Sequence, residues 1–191
     1  MSERAHLTMV EAQEISHQLA RRAVATNTLE DRVSLRLGDL RDSSLIPVSE
    51  EGNFDLVLGS PPYFPLGTGV VSPHPQRAAC RFELRGDVSD YCKTAARALS
   101  PGGILALVHT SEDPRPEWAI AESGLTLRCR QEVLFRRDRA PVISLFLAGW
   151  GGHREDRDPV VVREVDGTFS SDYQRIRQEM GAPEPPTGKK R

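Results

Sequence analysis

The sequence lacks the features that mark secreted, membrane-spanning and metal-binding proteins. Its three cysteines, Cys80, Cys92 and Cys129, are odd in number and widely spaced, which favours free thiols in a reducing cytoplasm over a disulfide framework. The five histidines form no ligand-spaced cluster with these cysteines, so we expect no metal site. No apolar run approaches the roughly 20 residues that span a bilayer, and we find no signal peptide. We therefore expect a cytoplasmic protein with no membrane segment.

The chain also lacks an excess of charge of either sign. Its 27 acidic and 25 basic residues nearly cancel, so any nucleic-acid surface must be a local patch and not a property of the whole molecule. The 191 residues suffice for one domain with a sizeable core. We place that domain at residues 1–180 and expect a disordered tail at residues 181–191, where proline, glycine and lysine dominate.

The chain is organised around residues 53–64, where a short apolar run meets two prolines. Phe54 to Leu58 is bounded by turn residues and is typical of a strand buried on both faces. Gly59 ends this run, and Ser60-Pro61-Pro62-Tyr63 follows directly. Because ligands bind at the carboxyl ends of strands in open α/β sheets, this turn is the first candidate site.

The residues of this turn suit the recognition of an aromatic amine. Two prolines fix φ and remove two amide donors, which stiffens the backbone and leaves its carbonyls free to accept. The hydroxyl of Ser60 and the carbonyl of Pro61 can accept hydrogen bonds from an amino group, and Tyr63 can stack on the ring that carries it. Such acceptors favour the localised lone pair that attacks a methyl group. The alternative is a proline-stiffened loop with no ligand.

The segments before the turn indicate further strands of the same sheet. Leu7 to Val10 is an apolar strand that ends in Glu11, and Val33 to Leu37 alternates as a strand does before Gly38-Asp39. In dinucleotide-type folds, an acid at the end of the second strand accepts hydrogen bonds from ribose hydroxyls. Glu11 is a candidate for that role, and a solvated glutamate at a strand end is the alternative.

The segments after the turn predict helices and strands that complete an α/β sheet. The apolar stripe of a helix that begins near Asp87 includes Tyr91 and Cys92, which we interpret as facing the core and not as catalytic. A strand from Ile104 to His109 follows. Leu125 to Phe135 and Val142 to Trp150 lie too close together for a crossover helix, so we expect an antiparallel pair.

Several stretches together resemble the class I, S-adenosylmethionine-dependent amino-methyltransferases. The resemblance is strongest to the bacterial family that methylates N6 of the adenosine 3′ to the anticodon in a valine tRNA, and it extends from His6 to about Met180. The matching stretches are Val10-Glu11-Ala12-Gln13, Gly38-Asp39-Leu40-Arg41, Ser60 to Phe64, Arg81-Phe82-Glu83 and Leu99-Ser100-Pro101-Gly102-Gly103. Each stretch alone is a weak signal, and the set in this order is a strong one.

The resemblance implies a fold, a cofactor and a substrate. The fold would be a Rossmann-like sheet in the strand order 3-2-1-4-5-7-6, mostly parallel with an antiparallel C-terminal hairpin. S-adenosyl-L-methionine would be held through its ribose by Glu11 and through its adenine amino group by Asp39, although Gly38-Asp39 can also be a plain turn. The substrate would be the anticodon region of a tRNA. The resemblance assigns catalysis to Ser60, Pro61, Pro62 and Tyr63, cofactor binding to Glu11, Asp39, Leu40 and Ser60, and substrate binding to Phe64, Arg77, Arg81 and Arg137.

Two further segments are candidates for substrate contact. Leu66 to Ala79 is a long loop with several glycines and prolines, which we interpret as a substrate lid, with a disordered excursion as the alternative. The densest basic cluster can grip an RNA backbone, and a solvated hairpin accounts for it equally well. That cluster consists of Arg128, Arg130, Arg136, Arg137 and Arg139. Arg77, Arg81 and Arg85 can likewise contact phosphates, and a partly solvated charged face explains them equally well.

One element of this family is missing from the sequence. No first strand and no Gly-x-Gly-x-Gly turn precede Glu11, so we expect the strands at Leu7–Val10 and Phe54–Leu58 to present facing unpaired edges. A start codon assigned too late, a genuine truncation and a remnant that needs a partner would each explain this, and we favour the first. We predict that the DNA upstream of Met1 encodes, in frame, an apolar strand and a glycine-rich turn.

A second departure leaves the target open. Ser60 stands where the RNA adenine family usually carries asparagine, and serine at this position is more familiar in cytosine N4-methyltransferases. Our leading hypothesis is N6-methylation of an adenine in tRNA. The alternatives are a protein glutamine N5-methyltransferase, which shares an Asn-Pro-Pro-Tyr turn, and a non-catalytic fragment that acts through a partner.

Overall fold

The computed structural model describes residues 5–183, in which strands and helices alternate before the sheet ends antiparallel. The strands are β1 (Leu7–Glu11), β2 (Val33–Leu37), β3 (Phe54–Gly59), β4 (Leu99–Thr110), β5 (Thr126–Leu134), β6 (Ile143–Gly149) and β7 (Val160–Val161). The helices are α1 (Glu14–Thr26), α2 (Pro75–Arg81), α3 (Val88–Ala98), α4 (Arg115–Glu122) and α5 (Ser171–Glu179), with short 3₁₀ turns at Ser43–Leu45 and Val48–Glu50. Most of the expected tail, residues 184–191, lies outside the described residues.

The described strands form two separate sheets. β1 and β2 pair in parallel, and β3, β4, β6, β5 and β7 form a second sheet in that spatial order. Within it β3 and β4 are parallel, whereas β6 runs antiparallel to both of its neighbours. In the family's numbering the order is 3-2 in one sheet and 4-5-7-6 in the other, with the place of strand one between them, and β7 is an additional edge strand beside β5. The predicted fold class is therefore confirmed, with its antiparallel C-terminal hairpin.

The gap between the sheets is the predicted one. Among the described residues β1 pairs only with β2, and β3 pairs only with β4, so each strand has one edge without a partner. The side chains beside this gap are exposed, with Leu56 at 54% and Leu58 at 69%. The expectation that β3 would be buried on both faces is wrong, because Leu56 and Leu58 alternate along the strand and so leave one of its faces exposed.

The hydrophobic core lies between the second sheet and its helices. α3 begins with a capping box in which Asp87 accepts from the amide of Asp90, and the Asp90 side chain accepts from the amide of Asp87. The helix then buries Cys92 against strand residues such as Leu107 and Phe146. Burial raises the pKa of the Cys92 thiol to about 12, so this thiol is neutral and unreactive at neutral pH. The interpretation of Cys92 as a core residue is confirmed.

Candidate active site

A cavity of about 270 Å³ lies where the carboxyl ends of β1, β2 and β3 meet. Four of the predicted site residues line it: Glu11, Leu40, Ser60 and Pro62. Gly38, Gln13, Cys80, Arg85 and Tyr91 complete much of its wall. The topology explains this grouping, since parallel strands deliver the residues that follow them to the same edge of a sheet.

The diproline turn joins the cavity to the core of the second sheet. Pro61 is fully buried, whereas Ser60 is exposed and faces the cavity. The Ser60 hydroxyl lies 3.3 Å from the Tyr63 hydroxyl, so the two form a hydrogen bond across the turn. The Tyr63 ring packs on the imidazole of His109 with centroids 4.8 Å apart, and Tyr63 is beside the cavity lining without being part of it. The turn therefore presents one hydroxyl to the cavity and supports it with a second.

The two acidic residues differ in how much acceptor capacity they retain. Glu11 lines the cavity, and its Oε1 accepts a hydrogen bond of 2.7 Å from the amide of Gln13. Asp39 lies outside the lining, and both of its oxygens accept from the guanidinium of Arg41, at 2.9 and 2.6 Å. The hydrogen bond from Arg41 holds the pKa of Asp39 below its usual value. The carboxylate of Asp39 is thus charged at neutral pH, and it has fewer free acceptor positions than the carboxyl group of Glu11.

Tyr91 is a cavity residue that the sequence interpretation assigned to the core alone. Its ring packs against the core and also lines the cavity. A Cβ placed on Gly59 would lie 2.8 Å from Tyr91 Cδ1 and 2.7 Å from Leu107 Cδ2, so only glycine permits this approach. Burial raises the pKa of the Tyr91 phenol, helped by the nearby carboxylates of Glu11 and Asp39, which keeps the hydroxyl a donor.

Helix periodicity could not have identified this second role of Tyr91. The apolar stripe of α3 indicates which face turns inward, but it does not indicate where along that face the packing ends and a cavity begins. The glycine at the end of β3 was the available signal, because a residue without a side chain leaves room for a neighbouring ring.

The predicted lid is partly helical. Residues 75–81 form α2, where we expected an irregular loop, because Pro75 at its first position fits the start of a helix. The helix lies beside α1, with Gln76 donating to the Ser16 hydroxyl at 3.0 Å and Gln13 donating to the Cys80 sulfur at 3.4 Å. Arg85, just beyond the helix, donates to the carbonyl of Ala12. This segment thus closes one side of the cavity.

The predicted substrate residues fall into two places. Phe64, Arg77 and Arg81 are exposed close to the turn, and the Arg81 guanidinium lies 5.4 Å from the centre of the Phe64 ring. Arg137 lies in the β5–β6 hairpin and is paired with Glu164 through two hydrogen bonds of 2.5 and 2.9 Å. The structure therefore groups three of these four residues and separates Arg137 from them.

Most arginines of the basic hairpin cluster are already engaged by carboxylates or by main-chain carbonyls. Arg136 pairs with Asp138, and Arg130 pairs with Glu117. Arg128 donates to the carbonyls of Trp150 and Gly151. Guanidinium groups engaged in this way have fewer donors left for phosphates, which favours the solvated-hairpin alternative for this cluster.

Metal-ligand clusters and membrane-spanning helices are both absent from the described residues. Residues 5–183 contain no group of three or more His, Cys, Asp or Glu side chains arranged to hold a metal ion. Within the same range no helix has the length and apolar character needed to cross a membrane.

Comparison with known proteins gives related sequences, although no protein-family profile matches the chain. It is 31% identical over 175 residues to a tRNA1(Val) (adenine(37)-N6)-methyltransferase of Porphyromonas gingivalis, covering 88% of this chain and 68% of that protein. It is 32% identical over 130 residues to the enzyme of the same name from Tolumonas auensis, covering 66% of this chain and 53% of that protein.

A third relative has a different name. The 4-amino-L-phenylalanine/4-methylamino-L-phenylalanine methyltransferase of Streptomyces pristinaespiralis is 35% identical over 100 residues, covering 49% of this chain and 33% of that protein. Across these three relatives the chain therefore spans between 33% and 68% of their lengths.

Solved structures support the fold. A protein of Agrobacterium tumefaciens described as a predicted O-methyltransferase superposes with a TM-score of 0.66 at 18% identity, covering 95% of this chain and 81% of that protein. Geranyl diphosphate methyltransferase in complex with SAM superposes with a TM-score of 0.52 at 12% identity, covering 77% and 69%. At these identities the likeness concerns the fold alone, which is that of a methyltransferase.

Proposed function

The chain belongs to the family of the tRNA1(Val) (adenine(37)-N6)-methyltransferases, and we propose that it methylates N6 of an adenine in the anticodon region of a tRNA. The observation that carries this proposal is the turn at the cavity, where the Ser60 hydroxyl meets the Tyr63 hydroxyl beside two prolines. The chain covers only part of its relatives' lengths, so the proposed activity depends on these residues as well as on the sequence similarity.

The turn can make an aromatic amine nucleophilic. Conjugation with the ring delocalises the lone pair of the amine, and acceptors aimed at its hydrogens favour the form in which the lone pair is available. When Tyr63 donates to Ser60, the Ser60 oxygen keeps a lone pair for the amine. The carbonyl of Pro61 is the second acceptor in this proposal. Stacking on Tyr63 would contribute about 1–3 kcal/mol to binding of the base.

The lining of the cavity fits a nucleoside cofactor. Glu11 offers a carboxylate for ribose hydroxyls, and Leu40 and Tyr91 offer apolar surface for a base. Asp39 accepts three hydrogen bonds from Arg41, which leaves about one of the four acceptor positions of a carboxylate for an adenine amino group. S-adenosyl-L-methionine, when bound, supplies an electrophilic methyl group.

The surface around the turn suits a single-stranded nucleic acid. A base must leave its stack to reach a pocket of this kind, and a loop nucleotide does so at low cost. Phe64 and Arg81 form an exposed aromatic and cationic pair beside the turn, and Arg77 adds a second exposed cation. Such pairs bind flanking bases and phosphates with little sequence preference. Recognition of a particular tRNA would then rest on the shape of its loop.

Methyl transfer from labelled S-adenosylmethionine tests the proposal. The chain is incubated separately with bulk tRNA, with a release factor and with 4-amino-L-phenylalanine, and methylated nucleosides are mapped by mass spectrometry. We expect label in tRNA as N6-methyladenosine. Label confined to protein would support the glutamine alternative, and label confined to the amino acid would support an arylamine substrate. Either result would contradict the proposal.

A matched pair of variants tests the turn itself. Ser60→Ala removes the cavity hydroxyl, and we expect kcat to fall by about a hundredfold, as when one preorganised polar group is lost from an active site. Ser49→Ala removes an exposed hydroxyl outside the cavity lining and should leave the rate unchanged. Equal rates for the Ser60 variant and the wild-type chain would contradict the role of Ser60.

A further inference from the structure

A partly buried cluster of polar side chains lies behind the diproline turn. His109 is fully buried at the end of β4, and its Nδ1 lies 3.6 Å from a carboxylate oxygen of Asp113. The guanidinium of Arg115 holds that carboxylate with hydrogen bonds of 2.9 and 2.6 Å. Arg115 also donates to Glu83 at 2.7 Å. His109, Asp113, Arg115 and Glu83 therefore form one connected set of contacts.

The cluster contacts Tyr63 at both ends of that residue. The His109 imidazole lies against the Tyr63 ring, with centroids 4.8 Å apart and planes tilted by 60°. Arg115 donates to the main-chain carbonyl of Tyr63 at 3.4 Å. The contacts thus run from the ring of Tyr63 through His109, Asp113 and Arg115 back to its own carbonyl.

The residue after Tyr63 is fixed from the same side. The amide of Glu83 donates to the carbonyl of Phe64 at 3.0 Å, and the amide of Phe64 donates to the carbonyl of Arg81 at 3.1 Å. Because Arg115 pairs with the Glu83 side chain, the arginine holds both flanks of this short bridge. An arginine is suited to this task, since its planar fork contacts several acceptors at once.

We propose that His109 and Arg115 are positioning residues, which hold the ring and the main chain of Tyr63 in the pose that receives the target base. The inference rests on the proposed function, because it assigns a purpose to the pose of Tyr63. It also explains why a histidine occupies this buried position, although its Nε2 has no hydrogen-bond partner among the described residues. A flat surface under the phenol is what the position requires.

The pose of Tyr63 can be measured without any catalytic assay. The chain has three tyrosines, Tyr63, Tyr91 and Tyr173, so ¹³C-labelled tyrosine gives few ring signals, and Tyr63→Phe identifies those of Tyr63. We expect His109→Leu and Arg115→Lys each to shift the Tyr63 signals and to leave those of Tyr91 and Tyr173 in place. His109→Phe keeps a flat ring and should restore the shift toward the wild-type position.

Arg154→Lys is the matched control. Arg154 pairs with Asp156 and Glu117 as Arg115 pairs with Asp113 and Glu83, but it contacts neither Tyr63 nor the cavity. It should leave all three tyrosines unchanged. Unchanged Tyr63 signals in Arg115→Lys would overturn the proposal, and so would a joint shift of all three tyrosines, which would indicate general loosening. Arg115 is partly exposed, so this arm remains decisive if the His109→Leu chain does not fold.

Kinetics then separate this inference from the proposed function. In Arg115→Lys we expect kcat/KM for the RNA to fall by about tenfold or more, as small displacements of an active-site group do. The affinity for S-adenosylhomocysteine, measured by calorimetry, should not change. Shifted Tyr63 signals in a chain whose wild type methylates no RNA would support the positioning role and refute the proposed function. An equal loss of kcat/KM for the RNA and of the affinity for S-adenosylhomocysteine would overturn the positioning role.

Discussion

The two sheets share one cavity but differ sharply in how they are buried. Among the described residues of β1, α1 and β2, none is fully buried, and in α1 the apolar Ile15 and Leu19 are 58% and 55% exposed. In the second sheet, Leu105, Leu107 and Phe146 are each 1% exposed. The first sheet contributes Glu11, and the second contributes the diproline turn. The amine-orienting residues are thus built on the well-packed sheet, and the acidic residues on the loosely packed one.

This difference teaches where stability in the molecule resides. A strand pair with one helix cannot bury enough apolar surface to be stable alone, and it depends on what it packs against. The second sheet has helices against it and needs less support. Regions with few buried contacts open more readily than the rest of a fold. Binding at Glu11 should therefore be lost before the second sheet unfolds.

The largest expected effect compares a buried leucine of the second sheet with a half-exposed leucine of α1, the helix beside the first sheet. Leu107→Ala leaves a cavity in the second sheet, and we expect the free energy of unfolding to fall by about 3 kcal/mol. Leu19→Ala in α1 removes a side chain that is already half exposed, and should cost less than about 1 kcal/mol. Urea unfolding followed by circular dichroism measures both. Equal losses would break the comparison between the sheets.

The next effect concerns the close contact of Gly59 with Leu107 and Tyr91 at the edge of the cavity. Gly59→Ala forces a methyl group against Leu107 and Tyr91, and overpacking of this kind costs about 1–3 kcal/mol. Because Tyr91 lines the cavity, we also expect weaker binding of S-adenosylhomocysteine by calorimetry. Gly102→Ala is the control, since a Cβ there meets no atom within 4 Å. Loss of binding in both variants would rule out a local effect.

A smaller effect is expected from filling the gap between the sheets. A chain extended ahead of β1 by an apolar strand and a glycine-rich turn offers a partner to the free edges of β1 and β3. We expect it to bind S-adenosylhomocysteine at least about tenfold more tightly, equivalent to about 1.4 kcal/mol. Calorimetry on both chains measures this. Identical affinities would mean that the open edges do not limit binding.

The smallest effect is a pH dependence confined to the well-packed sheet. Burial lowers the pKa of His109 below its ordinary value of 6.5, although the carboxylate of Asp113 opposes this shift. The unfolded chain therefore binds more protons below about pH 6.5, and stability falls as the pH falls through that range. The carboxyl of Asp113, whose pKa Arg115 keeps low despite burial, loses its contribution only below pH 3.8. Urea midpoints between pH 7 and 5 should decline in the wild type and decline less in His109→Phe.

Much of the fold was predictable because it depends on local patterns. Short apolar runs closed by turn residues indicated the strands, and the spacing of the last two long strands required an antiparallel pair. The two-sheet arrangement followed from the missing strand, and the diproline turn identified the edge where the cavity lies. These features need only the order of the chain.

The remainder depended on contacts between distant residues, which no local pattern contains. Arg115 and Glu83 are far apart in sequence, so their pairing behind Tyr63 was not foreseen. The sequence could not decide whether the arginines of the hairpin contact RNA or are simply solvated. In the structure, Arg137 pairs with Glu164. Asp39 was predicted to contact a cofactor, and its pairing with Arg41 is an exception, because the two residues are neighbours in sequence and only side-chain geometry decides whether they pair. The roles predicted for these residues remain to be tested.

The cavity is lined by residues from both sheets, so the binding of a ligand there and the association of the two sheets are linked equilibria. Within residues 5–183, hydrogen bonds between the elements around the two sheets include those from Gln76 to Ser16 and from Thr94 to the carbonyl of Leu40. A nucleoside bound there would contact both sides, and by thermodynamic linkage it would stabilise the joined form in proportion to the logarithm of its concentration. We therefore expect the melting temperature to report the supply of that nucleoside, so that the amount of assembled protein follows the amount of ligand.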